Sequence, residues 1–176
     1  MGRKLCGKCE TKPACVLRYD ASILCRECFI LIFETEVHET ITKYKLFSPG
    51  QKVAIGASGG KDSAVLMKVL QVLNERYNYG LELYLLSIDE GISGYRDHSL
   101  KEVKFHSETS GLTLKILSYK ELYNWSMDEI VSVAGRKSNC TFCGVFRRQV
   151  RRIGTDIFGA KTKLYFTVCP YRPIPL

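Results

Sequence analysis

The sequence lacks long apolar runs. No stretch approaches 18 consecutive apolar residues, which predicts no transmembrane helix and no membrane partner. The start, Met1-Gly2-Arg3-Lys4-Leu5-Cys6, has no apolar segment behind its charges, so no secretory signal peptide is expected. Gly2 does not read as a myristoylation site, because position 6 is Cys rather than Ser or Thr. Histidine is scarce: the three residues, His38, His98 and His106, all fall on predicted helices and read as solvated surface positions. Internal repeats and low-complexity segments are absent.

What is present is an ordinary globular composition, 45% hydrophobic and 25% charged over 176 residues. That length suits one domain with a small appendage. The formal charge is +8, which favours an anionic partner. It is unevenly spread. Residues 1 to 32 carry a net +3, residues 33 to 146 a net −1, and residues 147 to 176 a net +6.

Cysteine is abundant, and six of the eight residues form C-x-x-C pairs. Disulfides are disfavoured without a secretory signal, and metal sites are favoured. Cys6-Gly7-Lys8-Cys9 and Cys25-Arg26-Glu27-Cys28 are separated by 15 residues. Two such knuckles can aim four thiolates at one ion, the arrangement of a structural Cys₄ zinc site with no open coordination position. Gly7 is expected to ease the first turn. Cys15, between the knuckles, reads as a bystander. The third pair, Cys140 and Cys143, has no matching fourth. On spacing alone it fits a redox dithiol, half of a zinc site, two ligands of an iron–sulfur cluster, or two buried cysteines.

The remaining pattern alternates strands and helices. A helix carrying Phe29, Ile30, Phe33, Val37 and Ile41 on one stripe is expected to about Lys45, and Ser48-Pro49-Gly50 ends it. Strands are predicted at Lys52 to Ala57, Leu81 to Ile88 and Leu112 to Leu117. Helices are predicted at Asp62 to Tyr77, Tyr95 to about Ser110, and Tyr119 to Val133. This order predicts an α/β fold with a parallel sheet and crossover helices. We divide the chain into a zinc-knuckle module at 1–30, a linker helix at 31–50, a nucleotide-binding part at 51–149 and a divergent tail at 150–176.

Ligands of such sheets bind beyond the carboxyl ends of strands. The first loop there is Gly56-Ala57-Ser58-Gly59-Gly60-Lys61-Asp62-Ser63. Glycines let the backbone approach a phosphate, and free N–H groups at a helix start attract the anion. Lys61 adds a charge, and Ser58 and Ser63 add hydroxyls. The Walker A pattern fails, because Ile55 stands where its first glycine belongs and Asp62 follows Lys61. The dinucleotide pattern fails because Ser58 occupies its second glycine position.

Ser58-Gly59-Gly60-Lys61-Asp62-Ser63 resembles the S-G-G-x-D-S loop of the PP-loop ATP-pyrophosphatase superfamily. The cysteine knuckles, Asp89-Glu90-Gly91-Ile92, Gly94-Tyr95-Arg96-Asp97 and Asn139-Cys140-Thr141-Phe142-Cys143-Gly144-Val145-Phe146-Arg147-Arg148 look like the cytoplasmic tRNA 2-thiolation protein 1 family. The likeness covers about Cys6 to Gln149. It implies a cytoplasmic enzyme that uses ATP and Mg²⁺ to put sulfur on C2 of the wobble uridine of tRNAs for Lys, Glu and Gln. It also implies a ubiquitin-like thiocarboxylate carrier and a second thiolation subunit as partners. On this likeness Ser58, Gly59, Gly60, Lys61, Asp62 and Ser63 bind the nucleotide, and Lys61, Asp62 and Arg147 act on the reaction. Cys140 and Cys143 match two of three ligands of a [4Fe–4S] cluster.

After Gln149 the likeness stops. The family's G-H-N-x-D-D motif, its third cluster cysteine and its second zinc site have no counterpart, and Cys169 lacks the family context. The expectation is a shortened form with an incomplete PP-loop sheet. The rival function is a zinc- and nucleotide-binding interaction module without catalytic activity.

Overall fold

In a computed structural model, residues 4–94, 96–135, 139–159 and 163–165 are described. Cys169, the only cysteine after Cys143, lies outside them. The chain divides into two compact units, Met1–Phe47 and Ser48–Leu176.

The first unit is a small hairpin and a helix. Strands β1 (Val16–Leu17) and β2 (Ile23–Leu24) pair antiparallel, Val16 opposite Leu24. Helix α1 (Arg26–Lys43) starts at Cys25 as its N-cap, three residues before the predicted start at Phe29. The apolar stripe is only partly covered. Ile41 is buried, but Ile30 and Phe33 are exposed, and Phe29 and Ile32 pack against the cysteines instead. Arg18, with its side chain buried, donates from a terminal nitrogen to Glu36 Oε1 at 2.5 Å, tying the hairpin to α1.

The second unit is α/β. Strands β3 (Lys52–Gly56), β4 (Glu82–Asp89), β5 (Thr113–Ser118) and β6 (Lys163–Tyr165) form one sheet in the order β5-β4-β3-β6. All three pairings are parallel. Parallel neighbours need crossover connections, which the intervening helices supply. From Val53 to Gly56, β3 is buried throughout, as its unbroken apolar run predicts. Helices α2 (Lys61–Tyr77) and α3 (Arg96–Ser110) follow β3 and β4.

The predicted helix from Tyr119 to Val133 is two helices, α4 (Tyr119–Tyr123) and α5 (Met127–Ala134). Asn124 takes a left-handed conformation (φ 58°), which ends α4. Ser126 then restarts the helix with a capping box. Its hydroxyl accepts from the Glu129 N–H at 3.2 Å, and the Glu129 carboxylate accepts from the Ser126 N–H at 2.8 Å.

Helix α6 (Asn139–Phe158) runs unbroken through Gln149. Val150 is fully buried in a cluster with Ala54 of β3, Leu86 of β4 and Leu117 of β5. Beyond it, β6 pairs with β3, Leu164 opposite Ala54. Residues past 149 therefore contribute to the sheet and its cover. Among the described residues, no helix is long and apolar enough to cross a membrane.

Candidate metal and phosphate sites

In the first unit the two knuckles converge. The Sγ atoms of Cys6, Cys9, Cys25 and Cys28 all lie within 4.8 Å of one another. The Cys9 and Cys25 sulfurs are 3.9 Å apart. Tetrahedral zinc, with Zn–S near 2.3 Å, requires sulfurs about 3.8 Å apart, so this donor set fits the ion. The local fold explains the convergence. The Cys6 N–H donates to Lys12 O at 2.9 Å and the Gly7 N–H to Ile23 O at 2.8 Å, folding the first knuckle onto the hairpin. The second knuckle is the start of α1, whose first turn carries Cys28 beside the capping Cys25.

Gly7 is not what makes the first turn possible. Its φ is not positive, and an added Cβ would meet only Ile23 O at 3.5 Å. Glu10 takes the left-handed conformation there (φ 55°). Cys15 is exposed and outside the cluster, as a bystander should be.

Protonation reflects the crowding. Hydrogen bonds from the Thr11 side chain and backbone lower the Cys9 thiol to about 6. Hydrogen bonding from the backbone of Cys9 lowers Cys6. Cys28 is pushed up to about 12 by its contact with Cys25, by burial and by the other thiols. Four thiolates cannot share this space without a cation, and a bound divalent ion relieves the repulsion by replacing protons.

In the second unit the Gly-rich loop joins β3 to α2. Gly59 has φ +73° and lies against α3: an added Cβ would sit 2.8 Å from Ser99 O and 3.0 Å from Ser99 Cα. Gly60 is different. It is the N-cap of α2 with φ −84°, and an added Cβ would touch only Ser58 Oγ at 3.4 Å. Ser63, 3% exposed, donates to Gly60 O at 2.8 Å and accepts from the Ser58 N–H at 3.3 Å. Its hydroxyl therefore shapes the loop from within. Lys61 and Asp62 are exposed on the first turn of α2. The loop leads into the first turn of α2, whose N–H groups lie at the positive end of a helix, a charge suited to phosphate.

The next strand end is braced as well. Asp89, 6% exposed at the end of β4, accepts from the Gly91 N–H at 3.0 Å and from Arg96 Nε at 2.8 Å. Gly91 (φ +69°) packs where an added Cβ would be 2.6 Å from Ser126 Cβ. The Met127 N–H donates to Glu90 O at 2.9 Å, and the Ser93 N–H to Asp128 at 2.8 Å. These contacts latch the 89–93 loop to the start of α5.

Cys140 and Cys143 lie in the first turn of α6, three residues apart and thus on one helix face. Cys143 is buried in the apolar cluster against the sheet, 6% exposed. The side chains of Cys140 and Arg147 lie outside the described residues. Among the described residues Cys6, Cys9, Cys25 and Cys28 are the one group that can hold a metal.

Comparison with known proteins agrees with this architecture. No family model matches the chain. It is 62% identical over 150 residues to cytoplasmic tRNA 2-thiolation protein 1 of Laccaria bicolor, covering 85% of this chain and 42% of that protein. It is 58% identical over 147 residues to the protein of the same name from Saccharomyces cerevisiae, covering 83% and 41%. The chain is similar over most of its own length to proteins named cytoplasmic tRNA 2-thiolation protein 1. It spans about two-fifths of the length of these curated relatives. Among solved structures it resembles the U34-tRNA thiolase of Methanococcus maripaludis, which carries a [4Fe–4S] cluster, with TM-score 0.74 and 31% identity. That match covers 91% of this chain and 52% of the thiolase. The α/β fold with a parallel sheet is thus that of a PP-loop tRNA thiolase.

The structure brings together Ser58, Gly59, Gly60, Lys61, Asp62 and Ser63 in one loop and helix start, and Cys6, Cys9, Cys25 and Cys28 in one cluster. Sequence reasoning missed the Ser99 contact, the Asp89–Arg96 pair and the latch to α5. Ser126-x-x-Glu129 carried a readable capping signal for the last. Ser99 carried none.

Proposed function

We propose that this chain is the ATP-binding part of a cytoplasmic tRNA 2-thiolation enzyme acting on the wobble uridine. The observation that carries the reading is the S-G-G-x-D-S loop, shaped at the end of β3 in a chain 62% identical to a tRNA 2-thiolation protein. In the proposed reaction uracil O2 attacks the α-phosphate of ATP and the bond to pyrophosphate breaks. A sulfur nucleophile then adds at C2, and the C2–O bond breaks to release AMP.

The loop N–H groups and Lys61 would hold the β- and γ-phosphates and stabilise charge on the departing pyrophosphate. Asp62, beside Lys61, would hold Mg²⁺, which when bound neutralises phosphate charge. Arg147 would act near the nucleotide, as the family likeness suggests. The tRNA isoacceptors for Lys, Glu and Gln, a thiocarboxylated ubiquitin-like donor and a second thiolation subunit are the partners that the family likeness suggests. Cys6, Cys9, Cys25 and Cys28 would hold zinc as a structural ion. Cys140 and Cys143 would give two thiolates to a [4Fe–4S] cluster.

A second reading is a zinc- and nucleotide-binding module without thiolation activity of its own. The 41–46% coverage of the curated relatives favours keeping it. Calorimetry with ATP and a tRNA thiolation assay separate the two. The wild-type chain should bind ATP, and Gly60→Val should abolish binding without unfolding, because its side chain enters the phosphate space and little else. ATP affinity unchanged in folded Gly60→Val would place the nucleotide elsewhere. ATP binding without thiolation would support the module.

A further inference from the structure

We propose that Ser99, on the first turns of α3, is a positioning residue that sets the phosphate loop in its binding conformation. The inference rests on the nucleotide-binding reading of that loop and assigns what holds it.

Two contacts carry it. Ser99 Oγ donates to the Ser58 carbonyl at 2.9 Å, across 41 residues of sequence. Gly59 lies directly on the Ser99 backbone, so close that no Cβ fits between them. The peptide unit is planar and trans. The Ser58 carbonyl and the Gly59 N–H belong to one such unit and point in opposite directions. Drawing the carbonyl toward α3 therefore turns the Gly59 N–H away from α3, toward the open side of the loop. An anion site needs this polarity. Carbonyl oxygens must be satisfied on the far side, while N–H groups face the ligand. Without the Ser99 hydroxyl, the Ser58 carbonyl loses a donor that opposes rotation of this peptide. Gly59, at φ +73°, adds little resistance of its own, because glycine tolerates both signs of φ.

The clamp is itself anchored. Arg96 lies one turn before Ser99, and its Nε donates at 2.8 Å to Asp89, whose side chain is 6% exposed at the end of β4. Asp89 also takes the Gly91 N–H. The start of α3 is thereby fixed to the sheet, and through Ser99 the sheet fixes the loop. Ser99 touches no phosphate in this scheme. It acts through the Ser58–Gly59 peptide.

The test is calorimetry on the full 176-residue chain and its Ser99→Ala variant, with inorganic pyrophosphate, ATP and adenosine as separate probes. One neutral hydrogen bond is worth about a fivefold to tenfold change in Kd. Ser99→Ala should weaken pyrophosphate and ATP by that factor and leave adenosine unchanged. A merely structural role would lower Tm and weaken all three probes together, and that result overturns the proposal. Unchanged pyrophosphate and ATP affinity in the variant also overturns it, while leaving the nucleotide site intact. A wild-type chain that binds neither probe defeats the nucleotide site itself, and the clamp with it.

Discussion

Gly59→Ala and Gly60→Ala are neighbouring substitutions of the same size in the same loop, and they should differ sharply. Gly59 has φ +73°, where a residue with a Cβ pays roughly 1–2 kcal/mol. Its added Cβ would also press on backbone, 2.8 Å from Ser99 O and 3.0 Å from Ser99 Cα. Helix backbone cannot yield as a flexible side chain can, and overpacking of this kind costs about 1–3 kcal/mol. The sum is about 2–5 kcal/mol, or a fall in Tm of roughly 6–15 °C. Gly60, at φ −84° with only Ser58 Oγ at 3.4 Å, meets no such barrier. Its alanine variant loses only N-cap preference, about 0.5–1 kcal/mol. Thermal or denaturant melts of the three proteins measure the gap. The loop has one escape, rotation of the Ser58–Gly59 peptide, which would spare stability and sacrifice phosphate affinity. ATP calorimetry on the same samples closes that route. A Gly59→Ala protein as stable as Gly60→Ala, with wild-type ATP affinity, would refute the reasoning.

Elemental analysis should find one zinc per chain, and Cys25→Ser with Cys28→Ser should abolish it; zinc retained near one per chain would mean that another set of ligands holds the ion. Anaerobic reconstitution should give little iron–sulfur absorbance, because the family's third cluster cysteine has no counterpart in this sequence. A stable stoichiometric cluster with substantial tRNA thiolation would overturn that. Glu129 supplies a pH test. The Lys120 ammonium and the Ser126 N–H hold its carboxyl below the ordinary value of 4.5. Its contribution to stability is therefore fully present above about pH 4.5 and is lost as pH falls through the lowered value. The Tm gap between wild type and Glu129→Gln should hold constant from neutral pH down to that point and close below it. A gap that widens on acidification would contradict the sign.

The parts legible in the sequence were those governed by local pattern. The apolar run within Lys52 to Ala57 and the double C-x-x-C each specify their structure within a few residues, and β3 and the cysteine cluster follow. The split of Tyr119 to Val133 into two helices had a local signal too. Asn124 is a residue that tolerates φ > 0, and Ser126-x-x-Glu129 is a capping box, but the apolar periodicity across them outweighed both.

What stayed hidden depends on the meeting of distant segments. Ser99 looks like any helix-surface serine until the fold places it under Ser58, 41 residues away. The two loop glycines are indistinguishable as letters, yet the fold demands one and leaves space beside the other. Gly59 is required because α3 lies against it. Gly60 faces nothing but Ser58 Oγ, so a requirement for glycine there can come only from what binds. A loop motif read from sequence merges these two kinds of constraint. The structure separates them, and the separation is what lets stability and phosphate affinity be perturbed one at a time.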